Sequence, residues 1–114
     1  MHELGVVFHI VDQLTQVAEE NQVEKISAVT LQLGEVSTVI PDYLLDCWRW
    51  AADKRDLLRG ARMNIETIPA VSHCDGCGKD YGTVEHGKIC PGCGSDQTWL
   101  VQGNEFIIKE IEVE

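Results

Sequence analysis

Basic residues are scarce: nine Lys and Arg stand against nineteen Asp and Glu, a net charge of −10 over 114 residues. Such a chain repels phosphate backbones, which argues against nucleic-acid partners and favours cations and basic protein surfaces. Long apolar runs are missing, so no segment is expected to span a membrane. The start lacks a basic n-region, since His2 and Glu3 stand where an export signal carries Lys or Arg. That predicts a cytoplasmic protein. There is no repeat, low-complexity tract, Ser–His–Asp arrangement, phosphate loop or acid pair. Nothing therefore argues for an enzyme. What remains is 44% apolar and 25% charged, enough for one ordinary domain, or one domain with a small appendage.

Leu4, Val7, Phe8, Val11, Leu14 and Ala18 recur at three- and four-residue steps and predict an amphipathic helix over about 3–21. From Lys25 to Gly34 the period becomes two, with Val29, Leu31 and Leu33 on one apolar side: a strand. Pro41 suits the first turn of a second helix. Its stripe is Tyr43, Leu44, Cys47, Trp48 and Ala51, and it is expected to stop near Gly60. Arg62–Ile68 and Asn104–Glu114 alternate again and predict two further strands. The expected fold class is α+β: two helices packed on a three-stranded sheet, with a four-cysteine zinc-ribbon module inserted. The expected domains are residues 1–70 plus 100–114, and residues 71–99.

Residues 71–99 carry few large apolar groups and four cysteines in two Cys-x-x-Cys-Gly turns, Cys74/Cys77 and Cys90/Cys93. Without an export signal these read as metal ligands rather than disulfides. Four thiolates arranged tetrahedrally suit Zn²⁺, with iron as a rubredoxin-like alternative and a redox dithiol as another. A segment of this texture cannot build its own core, so the metal must supply the folding free energy, on the order of 10–16 kcal/mol. The fifth cysteine, Cys47, reads as a buried small hydrophobe.

The N-terminus is a second candidate site. A residue as large as His2 predicts that Met1 is retained with a free amine. That amine, the His2 amide nitrogen and His2 Nδ1 can close two chelate rings on one ion. A deprotonated amide donor demands a square-planar metal, Ni²⁺ or Cu²⁺. The Glu3 amide or carboxylate could supply a fourth donor. The plain alternative is that Met1, His2 and Glu3 are only a polar helix start. Asp42 and Glu35 flank the Pro41 turn and could reach a metal, although Asp42 reads first as a helix-start acid. His73 and His86 lie near the cysteines and read as solvated loop residues. His9 reads as partly packed, and Trp48, Trp50 and Trp99 as packing groups.

Together these pieces resemble the HypA/HybF family of hydrogenase-maturation nickel chaperones. The match is carried by Met1-His2-Glu3-Leu4, Leu33-Gly34, the cysteine pairs Cys74/Cys77 and Cys90/Cys93, and Ile107–Glu114, ending Ile111-Glu112-Val113-Glu114. It runs in order over the whole chain. The resemblance implies Ni²⁺ bound by Met1, His2 and Glu3, with Asp42 as a position matching an acid implicated in some members. It implies structural Zn²⁺ on Cys74, Cys77, Cys90 and Cys93. It implies a HypB-type GTPase as partner and the large subunit of [NiFe] hydrogenase as recipient. In some members a urease accessory protein is a further partner. Only His73 adjoins a cysteine pair here, because Ile89 precedes Cys90. A zinc-ribbon interaction module without nickel transfer is the competing reading, and the shortage of basic residues weighs against it. A zinc hairpin between two strands is also a plausible hinge for domain swapping, so both monomer and dimer stay open.

Overall fold

A computed structural model describes residues 3–114. The elements run α1 (Glu3–Asn21), β1 (Ile26–Gly34), α2 (Pro41–Ala52), β2 (Arg62–Ile68), β3 (Val71–Cys74), β4 (Asp80–Gly82), α3 (Thr83–His86), β5 (Thr98–Gln102) and β6 (Phe106–Val113). The class is α+β. Two three-stranded sheets form, ordered β2-β1-β6 and β4-β3-β5. No described helix is long and apolar enough to cross a membrane. The chain divides into two compact units: up to Leu31, Val39–Glu66 and Ile107–Glu114 in one, Gln32–Thr38 and Thr67–Phe106 in the other.

In the first unit α1 keeps the expected span, but its buried face is rotated. Val6, Val7, Ile10, Val11, Leu14 and Ala18 are buried, whereas Leu4 and Phe8 are 40% and 45% exposed. A stripe read at three- and four-residue steps leaves one row undecided at each edge, and packing chose Val6 and Ile10. β1 is the central strand, so it is covered on both faces: Ile26 and Ala28 are buried as well as Val29, Leu31 and Leu33. That corrects the expectation of one apolar side. α2 begins with Pro41 at its first position and ends at Ala52, short of Gly60. Beyond it the bonds Lys54 N–H to Ala51 O, Arg55 to Ala52, Leu58 to Arg55 and Ala61 to Leu58 make a chain of tight three-residue turns. Trp48 and Leu44 are buried, and Trp48 Nε1 donates to Ala61 O at 3.0 Å. Tyr43 is exposed and Cys47 half-buried, so neither joins the core as the stripe implied.

In the second unit β3 pairs antiparallel with both neighbours. Val71 faces Gly82 and His73 faces Asp80 on one side, while Cys74 faces Thr98 on the other. This sheet was not anticipated. Its strands are three to five residues long, too short for alternation to show. Ser72, buried in β3, shares a 2.6 Å hydrogen bond with Thr83 Oγ1. Cys74, Tyr81 and Cys90 form a small buried cluster. Around the end of β1, Gly34 N–H donates to Glu105 O, Glu35 N–H to Ile68 O and Val36 N–H to Gly103 O. The Glu35 carboxylate accepts from Ala70 N–H at 2.9 Å, which gives this acid a structural role.

Candidate metal centre

Two local turns built to the same plan carry the four cysteines. β3 delivers Cys74, and Gly78 N–H donates back to Cys74 O at 2.8 Å. In the second turn Gly94 N–H donates to Cys90 O, also at 2.8 Å. One bond further out, Cys74 N–H reaches Lys79 O and Cys90 N–H reaches Ser95 O. Gly78 and Gly94 sit at φ of 76° and 74°, a left-handed conformation that a side chain would strain. The glycine after each pair is thus required by the turn that sends both sulfurs to one side. In each pair the first cysteine is buried and the second exposed.

The four sulfurs lie within 4.8 Å of one another. Across the pairs Cys74 Sγ is 3.6 Å from Cys93 Sγ, and Cys77 Sγ is 3.7 Å from Cys90 Sγ. A disulfide would need about 2.05 Å. A tetrahedral ion with metal–sulfur bonds of about 2.3 Å would set its sulfurs about 3.8 Å apart, so the donor set fits such an ion. All four positions are protein thiols, which leaves no open place for a reacting ligand.

The protons show why a cation belongs there. The Cys90 thiol is lowered from the usual 9.0 to about 7, first by the Cys93 N–H, then against burial, and with help from the Gly92 N–H and the Cys77 and Cys74 thiols. Cys93 is raised to about 12: the Ser95 N–H pulls it down, but the Cys74 thiol, burial, and the Cys77 and Cys90 thiols outweigh that bond. Sulfurs this close cannot all carry charge unless a metal neutralises them.

Among the described residues no His, Asp or Glu joins the four thiols. His73 is not a solvated loop residue. It is half-buried in β3, with Nδ1 at 2.6 Å from Asp80 Oδ1 and Nε2 at 3.7 Å from Asp75 Oδ1. Its ring lies 5.5 Å from that of Trp99, whose Nε1 donates to Asp75 at 3.2 Å. His86 ends α3, edge-on to Tyr81, whose hydroxyl donates to Gly87 O. Neither the Asp75–Trp99 bond nor the Tyr81 anchor had a sequence signal. Trp50 and Trp99 are each 53% exposed, so only Trp48 is a core tryptophan, and His9 is exposed rather than packed.

Of the N-terminal candidates, Met1 and His2 lie outside the described residues. Glu3 opens α1 and its Oε1 accepts from Ile40 N–H at 3.2 Å. Asp42 is exposed in the first turn of α2.

Comparison with known proteins follows this geometry. The family model described as "HypA: Hydrogenase/urease nickel incorporation, metallochaperone, hypA" matches residues 1–113. A hydrogenase maturation factor HypA of Geobacter metallireducens is 36% identical over 114 residues, covering all of both chains. One of Nostoc sp. is 37% identical, covering all of this chain and 96% of its own. The solution structure of the Ni metallochaperone HypA from Helicobacter pylori superposes with a TM-score of 0.72, at 23% identity over 99% of this chain and 97% of that one. At that identity the likeness speaks for the fold.

Proposed function

The chain belongs to the HypA family of hydrogenase/urease nickel-incorporation metallochaperones, and from that premise we propose that it binds Ni²⁺ at Met1, His2 and Glu3 and hands it on for [NiFe] hydrogenase maturation. The cargo is held by the terminal amine, the His2 amide nitrogen and His2 Nδ1, with a fourth donor from Glu3. Zn²⁺ occupies Cys74, Cys77, Cys90 and Cys93 as a structural ion. In this reading residues 1–70 plus 100–114 are the nickel domain and residues 71–99 the zinc domain. The protein works in the cytoplasm with a HypB-type GTPase, serves urease as a second recipient where that enzyme is present, and catalyses no covalent reaction.

The observation that supports the reading most is the match over residues 1–113, which takes in both the Met-His-Glu start and the cysteine pairs. The chemistry agrees. A chelate at a chain end is open on one side, so a recipient's ligands can attack the ion and exchange it without unfolding the carrier. Both the amine and His2 must lose protons, so nickel affinity falls with acid.

Nickel titration of the full chain with its native N-terminus is the test. One equivalent is expected to bind. One extra residue ahead of Met1, or His2→Ala, should abolish binding while the thiol-bound metal stays. Stoichiometric binding by His2→Ala would refute the terminal chelate.

A further inference from the structure

The Glu3 carboxylate already has a partner in the protein. Its Oε1 accepts the Ile40 N–H at 3.2 Å, bridging 37 residues of sequence. Ile40 is the residue that caps α2, with extended backbone at φ −90° and ψ 115° and no side-chain capping bond of its own. An isoleucine has no side-chain oxygen to offer, and Pro41 after it has no N–H to satisfy. The carboxylate of Glu3 therefore does from a distant helix what the Glu of a capping box does locally, accepting the N–H of the cap residue itself. Its negative charge also lies at the positive end of the α2 dipole. The next residue continues the attachment: Leu4 lines a cavity of about 270 Å³ with Asp46, Cys47 and Trp50, about one and a half to two and a half turns along α2.

We propose that Glu3 is a positioning residue, whose side chain latches the first turn of α1 to the cap of α2 and so fixes the Glu3 backbone nitrogen that the proposed nickel chelate uses. The inference rests on the nickel reading above and refines it. With its carboxylate engaged at Ile40, Glu3 contributes to a planar ion through its backbone nitrogen. Residues 1 and 2 supply the remaining donors. A planar Ni²⁺ centre needs its donors in one plane, and a latched first turn reduces the freedom lost on binding.

Three variants separate the roles, Glu3→Gln and Glu3→Ala keeping the native Met1-His2 start. Glu3→Gln keeps a carbonyl oxygen for the Ile40 N–H but is a poor metal donor. Glu3→Ala removes both, and His2→Ala removes the chelate. Planar Ni²⁺ is diamagnetic, so the Ile40 amide can be followed by ¹H–¹⁵N NMR with and without the ion. The latch predicts that Glu3→Gln binds nickel within about threefold of the parent, with the same d–d absorption, and that Glu3→Ala binds on the order of tenfold more weakly. It also predicts that the parent's Ile40 signal stays in place on nickel addition, and that in metal-free protein Ile40 hydrogen exchange accelerates in Glu3→Ala but not in Glu3→Gln. Equal loss in Glu3→Gln and Glu3→Ala would make the carboxylate a metal donor and overturn the latch. So would parental affinity in Glu3→Ala. If His2→Ala binds nickel like the parent, the nickel reading fails by itself. The metal-free Ile40 exchange then decides the latch, and unchanged exchange in Glu3→Ala overturns it.

Discussion

A Cβ placed on Gly34 would lie 2.0 Å from the carbonyl oxygen of Gly103, closer than any real contact allows. Gly103 itself sits at φ 122°, and a Cβ there would come within 2.5 Å of the Ala70 backbone. Three backbone stretches therefore meet where no side chain fits. Gly34→Ala must push the 103–105 backbone away and break the Gly34–Glu105 and Val36–Gly103 hydrogen bonds. The expected cost is about 3 kcal/mol or more. Thermal unfolding of the metal-loaded protein would show it as a lowered midpoint, and an unchanged midpoint would contradict the close approach.

The buried cluster around the metal centre consists of Tyr81 and two of the four thiols, Cys74 and Cys90. Without an ion it has little left to hold it. Chelation, or Cys90→Ser, should unfold residues 71–99, since the metal supplies on the order of 10 kcal/mol or more. Trp99 fluorescence and metal content should fall together. Purified protein should contain one zinc and be colourless, whereas a red protein absorbing in the visible would indicate iron.

Acid should release the thiol-bound metal. With residues 71–99 unfolded in the metal-free protein, each of the four thiols carries a proton below about 8.5, and the ion must displace all four. Affinity should therefore fall steeply with acid, by up to about four powers of ten per pH unit through the neutral range. Competition with a chromophoric chelator at pH 6 and pH 8 measures the fall, and a pH-independent affinity would contradict thiolate ligation.

Trp48 is 2% exposed and its Nε1 bonds to Ala61 O. Trp48→Phe removes the donor, leaves that carbonyl unsatisfied and opens a small cavity. A loss of about 2–3 kcal/mol is expected in denaturant unfolding. Nickel and zinc stoichiometry should be unchanged, because Trp48 is none of the candidate ligands.

Much of the secondary structure was legible because it is periodic. The 3.6-residue spacing drew α1 to its observed ends, and alternation located β1, β2 and β6. The thiol site was legible because two Cys-x-x-Cys-Gly turns state their own geometry. Leu4 and Phe8 lie exposed because a helix stripe fixes a row of residues but not which edge of it is covered. The setting of His73 is invisible in the sequence because its partners, Asp80 and Trp99, arrive on neighbouring strands too short to announce themselves.

By itself, then, the sequence determined the elements with a repeating pattern, the four metal-binding thiols and the family. Those are local facts, set by residues a few positions apart. Tertiary structure alone decided that Gly34 must be glycine because Gly103 passes over it, and that Glu3 accepts the N–H of Ile40, the cap residue of α2. Such pairs are joined by packing across tens of residues. The chain between them carries no mark of the meeting.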